Sequence, residues 1–387
     1  MTTRRRSAAA LAVTVALAAG CASAPTRAAA DPGRPLPPLP SLASSVTPAG
    51  TDWATLPMGA ASGPNQFWQL FTRTAGGHSW TLRTPPAIAT NGALVLAVRD
   101  ARTLVTGIRP SLDLAFSPIT VTTSGGGSWS TVPPNPGLAN LPDALAAAPS
   151  GQLIAVDRDQ QVDTAGTSGS WARLTSQKAL ATVHGCALTT LTGAAFSPDG
   201  APLLAGTCGR TGAAGILRYA GGTWQLASLA LPAALAGQPI QVIRLTRTTD
   251  GDVALLEAGR MGSVRLAAAW TGDNGEHWMF SPVASLGSAY VVVASFGASG
   301  SAAAVLSDGR GQTVSGRGAA WQALPSLPAG RAVVLTLPAG GGTEALTASG
   351  STLAAWQLTG RPTRWTRTQS IVVPIQYGSS SAGNEPS

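Results

Sequence analysis

The sequence predicts an all-β protein, and more narrowly a β-propeller, from three observations. The chain has 387 residues with 46 glycines and 29 prolines, which break long helices but suit short strands joined by turns. A glycine-containing turn between two short apolar runs recurs along the chain. A tryptophan recurs every 42–54 residues, at Trp80, Trp129, Trp171, Trp224, Trp278, Trp321 and Trp365. This period is typical of a propeller blade of four short strands.

Composition excludes several other classes of protein. With 44% hydrophobic and only 11% charged residues, the chain is too apolar to be disordered throughout. Outside the N-terminus, no uninterrupted apolar run reaches the ~18 residues of a membrane-spanning helix. The net charge of +8 includes Arg4, Arg5 and Arg6 near the start of the chain, and no basic cluster follows. We therefore expect neither a polytopic membrane protein nor a nucleic-acid partner.

Each repeat is predicted to contain a strand, a glycine turn, a strand, a loop, a strand, a small-residue turn and a strand led by tryptophan. Seven four-stranded blades are favoured, and six or eight are compatible with the same pattern. Residues 53–82 look like an incomplete blade. Residues 371–376 are predicted to supply its missing innermost strand, so that N- and C-terminal strands close the ring and remove its open edges. The glycine turns are Asn91-Gly92, Ser150-Gly151, Asp199-Gly200, Asp250-Gly251, Ser299-Gly300 and Gly341-Gly342.

The N-terminus predicts export. Residues 1–20 join a basic start to an apolar stretch, as signal peptides do. The sequence Leu17-Ala18-Ala19-Gly20-Cys21 resembles the lipobox of bacterial lipoproteins, which implies that Cys21 is lipidated and anchors the protein at the outer face of the cell membrane. The alternative is cleavage after Ala30 and free secretion. Residues 21–50 are predicted to be a Pro/Ala-rich linker, residues 51–377 the propeller and residues 378–387 a disordered tail.

Two cysteines remain once Cys21 is set aside. Cys186 and Cys208 lie in a chain that the leader directs out of the cell, where two such cysteines usually pair. We predict a disulfide between them, and the alternative is two buried thiols. No zinc-ligand spacing accompanies these cysteines, so no metal and no cofactor are predicted.

The turns before two of the tryptophans resemble the Asp-box, or BNR, repeat of sialidase-like propellers. Residues 271–278 match it through Thr271, Asp273, Gly275 and Trp278. The second copy has Ser124 in place of aspartate, followed by Gly126 and Trp129. The residues predict a structural role: the aspartate accepts backbone N–H groups, the glycine provides an unusual φ and the tryptophan packs between blades. No catalysis is assigned to these turns.

Arginines in the loops suggest an anion-binding surface. The loop after the second strand of five consecutive repeats is predicted to carry Arg99 (or Arg102), Arg158, Arg210, Arg260 and Arg310. These loops would share the face opposite the Asp-box turns, and guanidinium groups suit carboxylates and phosphates. The alternative is that the arginines belong to ordinary polar loops and are neutralised by nearby aspartates.

Three hypotheses for the function follow. The first is a non-catalytic, membrane-anchored and monomeric propeller that binds an anionic ligand, a glycan or a surface protein. The second is an exo-glycoside hydrolase of the sialidase type, for which Tyr290 and Glu257 are the candidate groups. The third is a scaffold similar to the Asp-box propellers that assist the assembly of membrane complexes. The fold alone does not separate them, because propellers host many functions.

The first testable prediction concerns the mature N-terminus. We expect intact-mass spectrometry to show a chain that begins at an acylated Cys21, because small residues precede this cysteine. A C21S variant should lose the added acyl mass and leave the membrane fraction. A mature chain that begins at Asp31 would instead establish the freely secreted form.

Overall fold

The computed structural model describes residues 43–59, 66–85, 93–109, 119–131, 142–166, 170–210, 212–360 and 363–374. All of them lie in the compact unit Pro32–Ser387. The predicted signal peptide, Cys21 and the tail at 378–387 lie outside the described residues. Within the described ranges, no helix has the length and apolar character needed to cross a bilayer.

The described strands form sets of four antiparallel neighbours, which we call blades. Blade 1 contains β1 (Ala43–Val46), β2 (Asp52–Gly59), β3 (Gln66–Arg73) and β4 (Thr81–Leu82). Blade 2 contains β5 (Ala93–Val98), β6 (Leu104–Arg109), β7 (Ile119–Thr122) and β8 (Ser130–Thr131). Blade 3 contains β9 (Pro142–Ala147), β10 (Leu153–Asp157), β11 (Gln161–Ala165) and β12 (Trp171–Ser176).

A four-residue helix, α1 (Gln177–Leu180), leads into the second half of the chain. Blade 4 contains β13 (Leu188–Phe196), β14 (Pro202–Cys208), β15 (Ala214–Ala220) and β16 (Thr223–Leu226). The short strand β17 (Ser228–Leu229) precedes blade 5, which contains β18 (Ile240–Thr248), β19 (Gly251–Ala258), β20 (Val264–Thr271) and β21 (His277–Phe280).

The remaining strands complete the ring. The strand β22 (Ala284–Gly287) pairs with β20. Blade 6 contains β23 (Val291–Phe296), β24 (Ala302–Leu306), β25 (Gly311–Val314) and β26 (Gln322–Ala323). Blade 7 contains β27 (Ala332–Thr336), β28 (Glu344–Ser349), β29 (Thr352–Thr359) and β30 (Arg364–Val372). The described part of the chain thus has seven sets of four strands, and the prediction of a β-propeller is confirmed.

The hydrophobic core lies between blades rather than in one central mass. Each blade is a sheet with two apolar faces; one face packs on the preceding blade and the other on the following blade. Leu203 of blade 4 and Ala254 of blade 5 share one such cluster, and Trp278 closes it. The second strands β10 and β19 are buried along their whole length, whereas all residues of the outermost strand β30 are exposed or half-buried.

Blades 1 and 7 meet through a buried ionic cluster. The Arg73 guanidinium donates from Nε to Asp52 Oδ2 over 2.7 Å and from Nη1 to the Glu344 carboxylate over 2.7 and 2.8 Å. Burial raises the pKa of the Asp52 carboxyl, although the positive charge of Arg73 opposes that shift. Gln369 of blade 7 adds two hydrogen bonds to the backbone of Trp80, one to its N–H and one to its carbonyl oxygen.

A second contact closes the ring near its axis. The innermost strand of blade 1, β1, runs parallel to β23 of blade 6, with Ala43 opposite Ala294 and Ser45 opposite Phe296. The Ser44 hydroxyl also donates to the backbone carbonyl of Leu335 in β27. The innermost strand of blade 7 is therefore covered by β1 on the side of the ring axis.

Two predictions about the chain termini are corrected. Ile371 and Val372 do not complete blade 1. They belong to β30, the outermost strand of blade 7, and pair with Leu353 and Thr352 of β29. Residues 375 and 376 lie outside the described residues. The innermost strand of blade 1 is β1, so the propeller begins before residue 51 and includes part of the predicted linker. The sequence of β1, Ala-Ser-Ser-Val, has no strand pattern, so a strand could not be predicted there. Its last three residues are buried by contacts with distant parts of the chain.

The predicted disulfide between Cys186 and Cys208 is present. It joins the end of β14 to the segment before β13, and both cysteines are buried among apolar residues of blades 3 and 4. In the chain-entropy model, a loop of this size stabilises the folded state by about 3 kcal/mol.

The closing cluster generates the second prediction. R73M leaves two buried carboxylates without their cation, so we expect the free energy of unfolding to fall by about 3–5 kcal/mol. Urea titration followed by circular dichroism measures it. R173M is the matched control, because Arg173 is 52% exposed in its ion pair with Asp163. Its cost should be at most about 1 kcal/mol. Equal losses in the two variants would contradict a special role for Arg73.

Candidate functional site

A cavity of about 780 Å³ lies along the ring axis. The innermost strands of blades 1 to 5 line it, together with Ala294 of blade 6. The lining includes Asp143, near the start of β9, and Pro149, just beyond its end, so the cavity runs the full length of that strand. On the side of the axis where blade 7 lies, β1 forms the boundary of the cavity, because β1 pairs with β23 of blade 6.

The cavity wall is mainly apolar. Its large apolar side chains include Trp53, Leu94, Leu96, Leu145 and Phe196. The charged residues that line it are Arg99, Asp100, Asp143, Arg244 and Arg247. Arginines thus outnumber aspartates by three to two in the described lining. A concave apolar surface with a few charged groups has the composition of a ligand site.

Arg244 is one of two arginines of the cavity wall, with Arg247, that have no carboxylate partner in the described part of the chain. It projects from β18 and is half-buried. Its Nη1 donates to the carbonyl oxygen of Ala294 over 2.9 Å and its Nη2 to the Ser45 hydroxyl over 3.2 Å. No carboxylate in the described part of the chain pairs with it. Burial lowers the pKa of the Arg244 guanidinium to about 10, so it remains charged at neutral pH.

Two aromatic rings hold the Arg244 guanidinium in place. Its central carbon lies 5.4 Å from the centroid of the Trp53 ring and 5.6 Å from that of Phe296. Such distances allow cation–π attraction, which a low-polarity site strengthens. Blades 1, 5 and 6 therefore meet at this one side chain, with Trp53 from β2 and Phe296 from β23.

Sequence reasoning did not identify Arg244 or Arg247. A signal existed: β18 places two arginines on an innermost strand, whereas β23 and β27 are apolar or small along their length. A charged residue on such a strand must face the axis or a partner, because both faces of the sheet are packed. The signal could be used only once β18 was known to be innermost.

Beside Arg247 lies a buried acid. Asp252 stands opposite Arg247 in the β18–β19 pair, is 1% exposed, and neither of its carboxylate oxygens has a hydrogen-bond partner in the described part of the chain. Burial raises the pKa of Asp252 to about 8, and the charge of Arg247 opposes the shift. The structure therefore keeps this carboxyl protonated at neutral pH.

Four of the predicted arginines occupy equivalent loops. Arg158, Arg210, Arg260 and Arg310 each follow the second strand of blades 3, 4, 5 and 6, and all are exposed. Arg310 pairs with Asp308 over 2.6 Å, as the neutral alternative expects. None of the four lines the described wall of the central cavity. Their role in binding an anion stays a prediction.

Arg99 departs from that pattern. It lies between β5 and β6, the first and second strands of blade 2, so its loop is on the opposite face, with the Asp-box-like turns. The neighbouring Arg102 carbonyl accepts a hydrogen bond from Gly125 in such a turn. The predicted position of Arg99 was wrong by one strand. Asn91-Gly92 was predicted to be the turn after the innermost strand of this blade, whereas it precedes that strand, β5. Arg99 itself pairs with Asp100.

The Asp-box-like turns lie at contacts between blades. Asp273 Oδ1 accepts from His277 N over 2.9 Å, and Thr271 Oγ1 accepts from Gly275 N over 3.2 Å. The turn of blade 2 has the same bonds: Ser124 Oγ accepts from Ser128 N over 2.8 Å, and Thr122 Oγ1 accepts from Gly126 N over 2.9 Å. A serine oxygen thus replaces the carboxylate oxygen of the aspartate.

Close approach of neighbouring blades requires glycine in these turns. Gly275 and Gly126 have φ values of +82° and +88°. A Cβ atom on Gly126 would lie 2.6 Å from Cβ of Arg83, just after blade 1. Trp129 Nε1 donates to the Arg83 carbonyl over 3.1 Å, and Trp278 is buried between blades 4 and 5. These residues therefore join blades together.

The acidic and histidine side chains of the second turn are bonded to neighbours. Asp273 Oδ2 lies 2.6 Å from His277 Nδ1, and Glu276 pairs with Arg218 of blade 4. The three groups lie close enough to share an ion, but all are exposed. Their bonds anchor the turn to blade 4, and we assign no metal to them.

The residues considered for glycoside hydrolysis have structural roles. Glu257 is 2% exposed, and its carboxylate accepts the backbone N–H of Val291. Burial raises the pKa of Glu257 to about 7. The side chain of Tyr290 packs against the apolar cluster of blades 5 and 6. Neither residue lines the central cavity.

Comparison with known proteins finds similarity in structure only. No protein-family model matches the chain, and no curated protein matches it. YCF48 bound to a D1 peptide is 18% identical with a TM-score of 0.42, over 74% of this chain and 82% of that one. YCF48 from Cyanidioschyzon merolae is 14% identical with a TM-score of 0.46, over 84% and 94%. Virginiamycin B lyase from Staphylococcus aureus is 12% identical with a TM-score of 0.43, over 81% and 90%.

These structural neighbours are β-propeller proteins. At such identities and TM-scores, the similarity carries no inference about a ligand or an activity. The fold itself defines the class to which this chain belongs, a β-propeller with an axial cavity.

The buried Asp252 generates the third prediction. Its carboxyl titrates near pH 8 in the folded state and near pH 4 when unfolded, so the folded state holds the extra proton between these values. Its contribution to stability therefore falls as pH rises from 4 to 8. D252N removes this dependence, and we expect it to be more stable than wild type by on the order of 5 kcal/mol at pH 8.

Urea unfolding at several pH values measures the difference between D252N and wild type. At pH 4 the two proteins should be equally stable. The control is D308N, which alters an exposed carboxyl with a lowered pKa and should leave stability between pH 5 and 8 unchanged. A D252N variant that is less stable than wild type at pH 8 would show that the native carboxyl is ionised.

Proposed function

We propose that this protein is a non-catalytic binding β-propeller that holds its ligand in the axial cavity. The observation that carries the proposal is the cavity itself, with a volume of about 780 Å³ and a mainly apolar wall. Ligand sites in proteins typically have volumes of roughly 300–1,000 Å³ and a few placed polar groups.

The polar groups of the wall support binding rather than acid–base chemistry. Asp100 Oδ1 accepts the backbone N–H groups of Arg102 and Thr103, and its other oxygen accepts from Arg99. Burial alone would raise the pKa of Asp100, but these hydrogen bonds outweigh it and lower the pKa. A carboxylate held in this way orients a loop and stays ionised. The sialidase-type alternative loses support because Glu257 is buried away from the cavity.

The proposal includes a location outside the cell. The signal peptide, and Cys21 as a lipid attachment point, would hold the propeller at the outer face of the membrane. The Cys186–Cys208 disulfide agrees with an oxidising compartment. A scaffold role, in which a partner protein inserts a side chain into the same cavity, is the closest alternative.

The fourth prediction tests the cavity with an uncharged ligand. N-phenyl-1-naphthylamine fluoresces when it enters an apolar site, and we expect the full-length purified protein to bind it with one saturable site. A144W places a large ring on a half-buried alanine of the wall and should weaken binding at least about tenfold, since overfilling excludes the ligand.

The matched control is A323W, which adds the same ring to an exposed alanine of the outermost strand β26. Both variants should keep the β-type circular dichroism of wild type. Equal binding by A144W and wild type would place the ligand elsewhere and overturn the proposed function.

A further inference from the structure

We propose that the ligand of the axial cavity is an organic acid, an apolar molecule whose single carboxylate pairs with Arg244. The inference rests on the proposed function, since it names the chemical class of ligand for the same cavity. It is argued from the charge balance of the wall, from the donors that Arg244 leaves free and from the apolar surface around it.

The charge balance of the wall points to an anion. Of the three arginines that line it, Arg99 pairs with Asp100, whereas neither Arg244 nor Arg247 has an ion pair with a carboxylate in the described part of the chain. Arg244 has neutral acceptors only, the Ala294 carbonyl and the Ser45 hydroxyl. A charge removed from water without a counter-ion is costly to the folded state, and an anionic ligand would offset that cost.

The guanidinium has donors to spare. It carries five N–H groups, and the bonds to Ala294 and Ser45 use two of them. The N–H on Nε and one N–H on each terminal nitrogen remain for a ligand. A carboxylate accepts two parallel bonds from such a fork, and these charge-assisted bonds are roughly twice as strong as neutral ones.

The number of positive charges favours a carboxylate over a phosphate. A phosphate monoester carries nearly two negative charges at neutral pH, and its binding sites combine several cationic or N–H donors. Arg244 is the one charge between the rings of Trp53 and Phe296, and Arg247, three positions further along β18, is on the opposite face of the strand. A monoanion matches it without leaving a second negative charge in a site of low polarity.

The rest of the wall fits an apolar body. Val95, Leu96, Val98 and Ala144 line the cavity and are half-buried, so they present apolar surface to a ligand. Burying apolar ligand surface against them contributes about 25 cal/mol per Å². A polar acid such as a sugar acid would lose its hydration there without replacement hydrogen bonds. The predicted ligand is therefore amphiphilic, with its acid group at Arg244.

Arg244 also joins β18 to β1 and β23 through its two bonds. If this were its whole role, the cavity would not distinguish an acid from its neutral amide. That difference defines the experiment, because 2-naphthoate and 2-naphthamide share one ring system and differ mainly in charge.

The fifth prediction compares these two ligands by isothermal titration calorimetry on the full-length protein at pH 7. We expect wild type to bind 2-naphthoate at least about tenfold more tightly than 2-naphthamide, as a charge-assisted pair would give. R244M should remove that preference while it retains 2-naphthamide binding. R247M is the matched control and should keep most of the preference, because Arg247 lies three positions from Arg244 along β18 and so is on the opposite face of the strand.

The outcomes separate this inference from the proposed function. If wild type binds neither ligand, the proposed function itself fails. If it binds both equally, or if R244M retains the preference for the acid, the cavity binds ligands but the assignment to Arg244 is wrong. If R244M fails to fold, the ratio of 2-naphthoate to 2-naphthamide affinity in wild type and in R244K still tests the assignment to Arg244. The acid preference in wild type should persist in 0.5 M salt, since a buried pair is weakly screened, and R244K should reduce it by losing the fork.

Discussion

The rest of the molecule depends on the closure of the ring, and the Arg73 guanidinium lies at the centre of that closure. It sits between Asp52 of its own blade and Glu344 of blade 7, with the face of Trp80 at 4.9 Å. A cluster of this kind adds little net free energy over apolar packing, but it admits one partner and one geometry. If blades 1 and 7 separated, β1 would lose its position, and the cavity would lose the part of its wall that β1 forms.

The seams between the other blades use a different chemistry. Alanine and glycine are frequent where sheets approach, and larger aliphatic side chains fill the spaces between them, as Leu203 and Leu256 do around Ala205 and Ala254. The turns before the tryptophans then fix how closely neighbouring blades approach. At Gly126 the absence of a side chain leaves room for Arg83, which follows blade 1. The ring is therefore set by local contacts that repeat, and its last seam adds a buried ionic cluster.

Much of this fold could be predicted from the sequence, because the repeat is carried by residue types with local causes. Tryptophan leads the fourth strand of each blade, and glycine supplies positive φ at turns such as Gly151 and Gly200. The missing parts have non-local causes. Residues 43–46 have no strand pattern of their own, and only their contacts with β2, β23 and β27 make them a strand. Arg99 was placed on the wrong face by an offset of one strand.

The site was harder to predict than the fold for the same reason. Arg244, Ser45, Trp53 and Ala294 meet at the axis although they come from blades 1, 5 and 6. No spacing in the sequence relates them, whereas the loop arginines share a period of about 50 residues and so were noticed first. A repeat reveals what its copies have in common, and the cavity depends on the residues in which they differ.

The contacts of β1 with blades 6 and 7 affect the order in which the chain can fold. Ser44 and the Leu335 carbonyl that it contacts are 291 residues apart, and Arg73 and Glu344 are 271 apart. A strand made near the start of synthesis must therefore wait, with one edge unpaired, until blades 6 and 7 have left the ribosome. Contacts of such long range slow folding, because the entropy of closing the loop is lost before they are gained. The axial cavity, which β1 borders, is thus the last feature of the molecule to be completed.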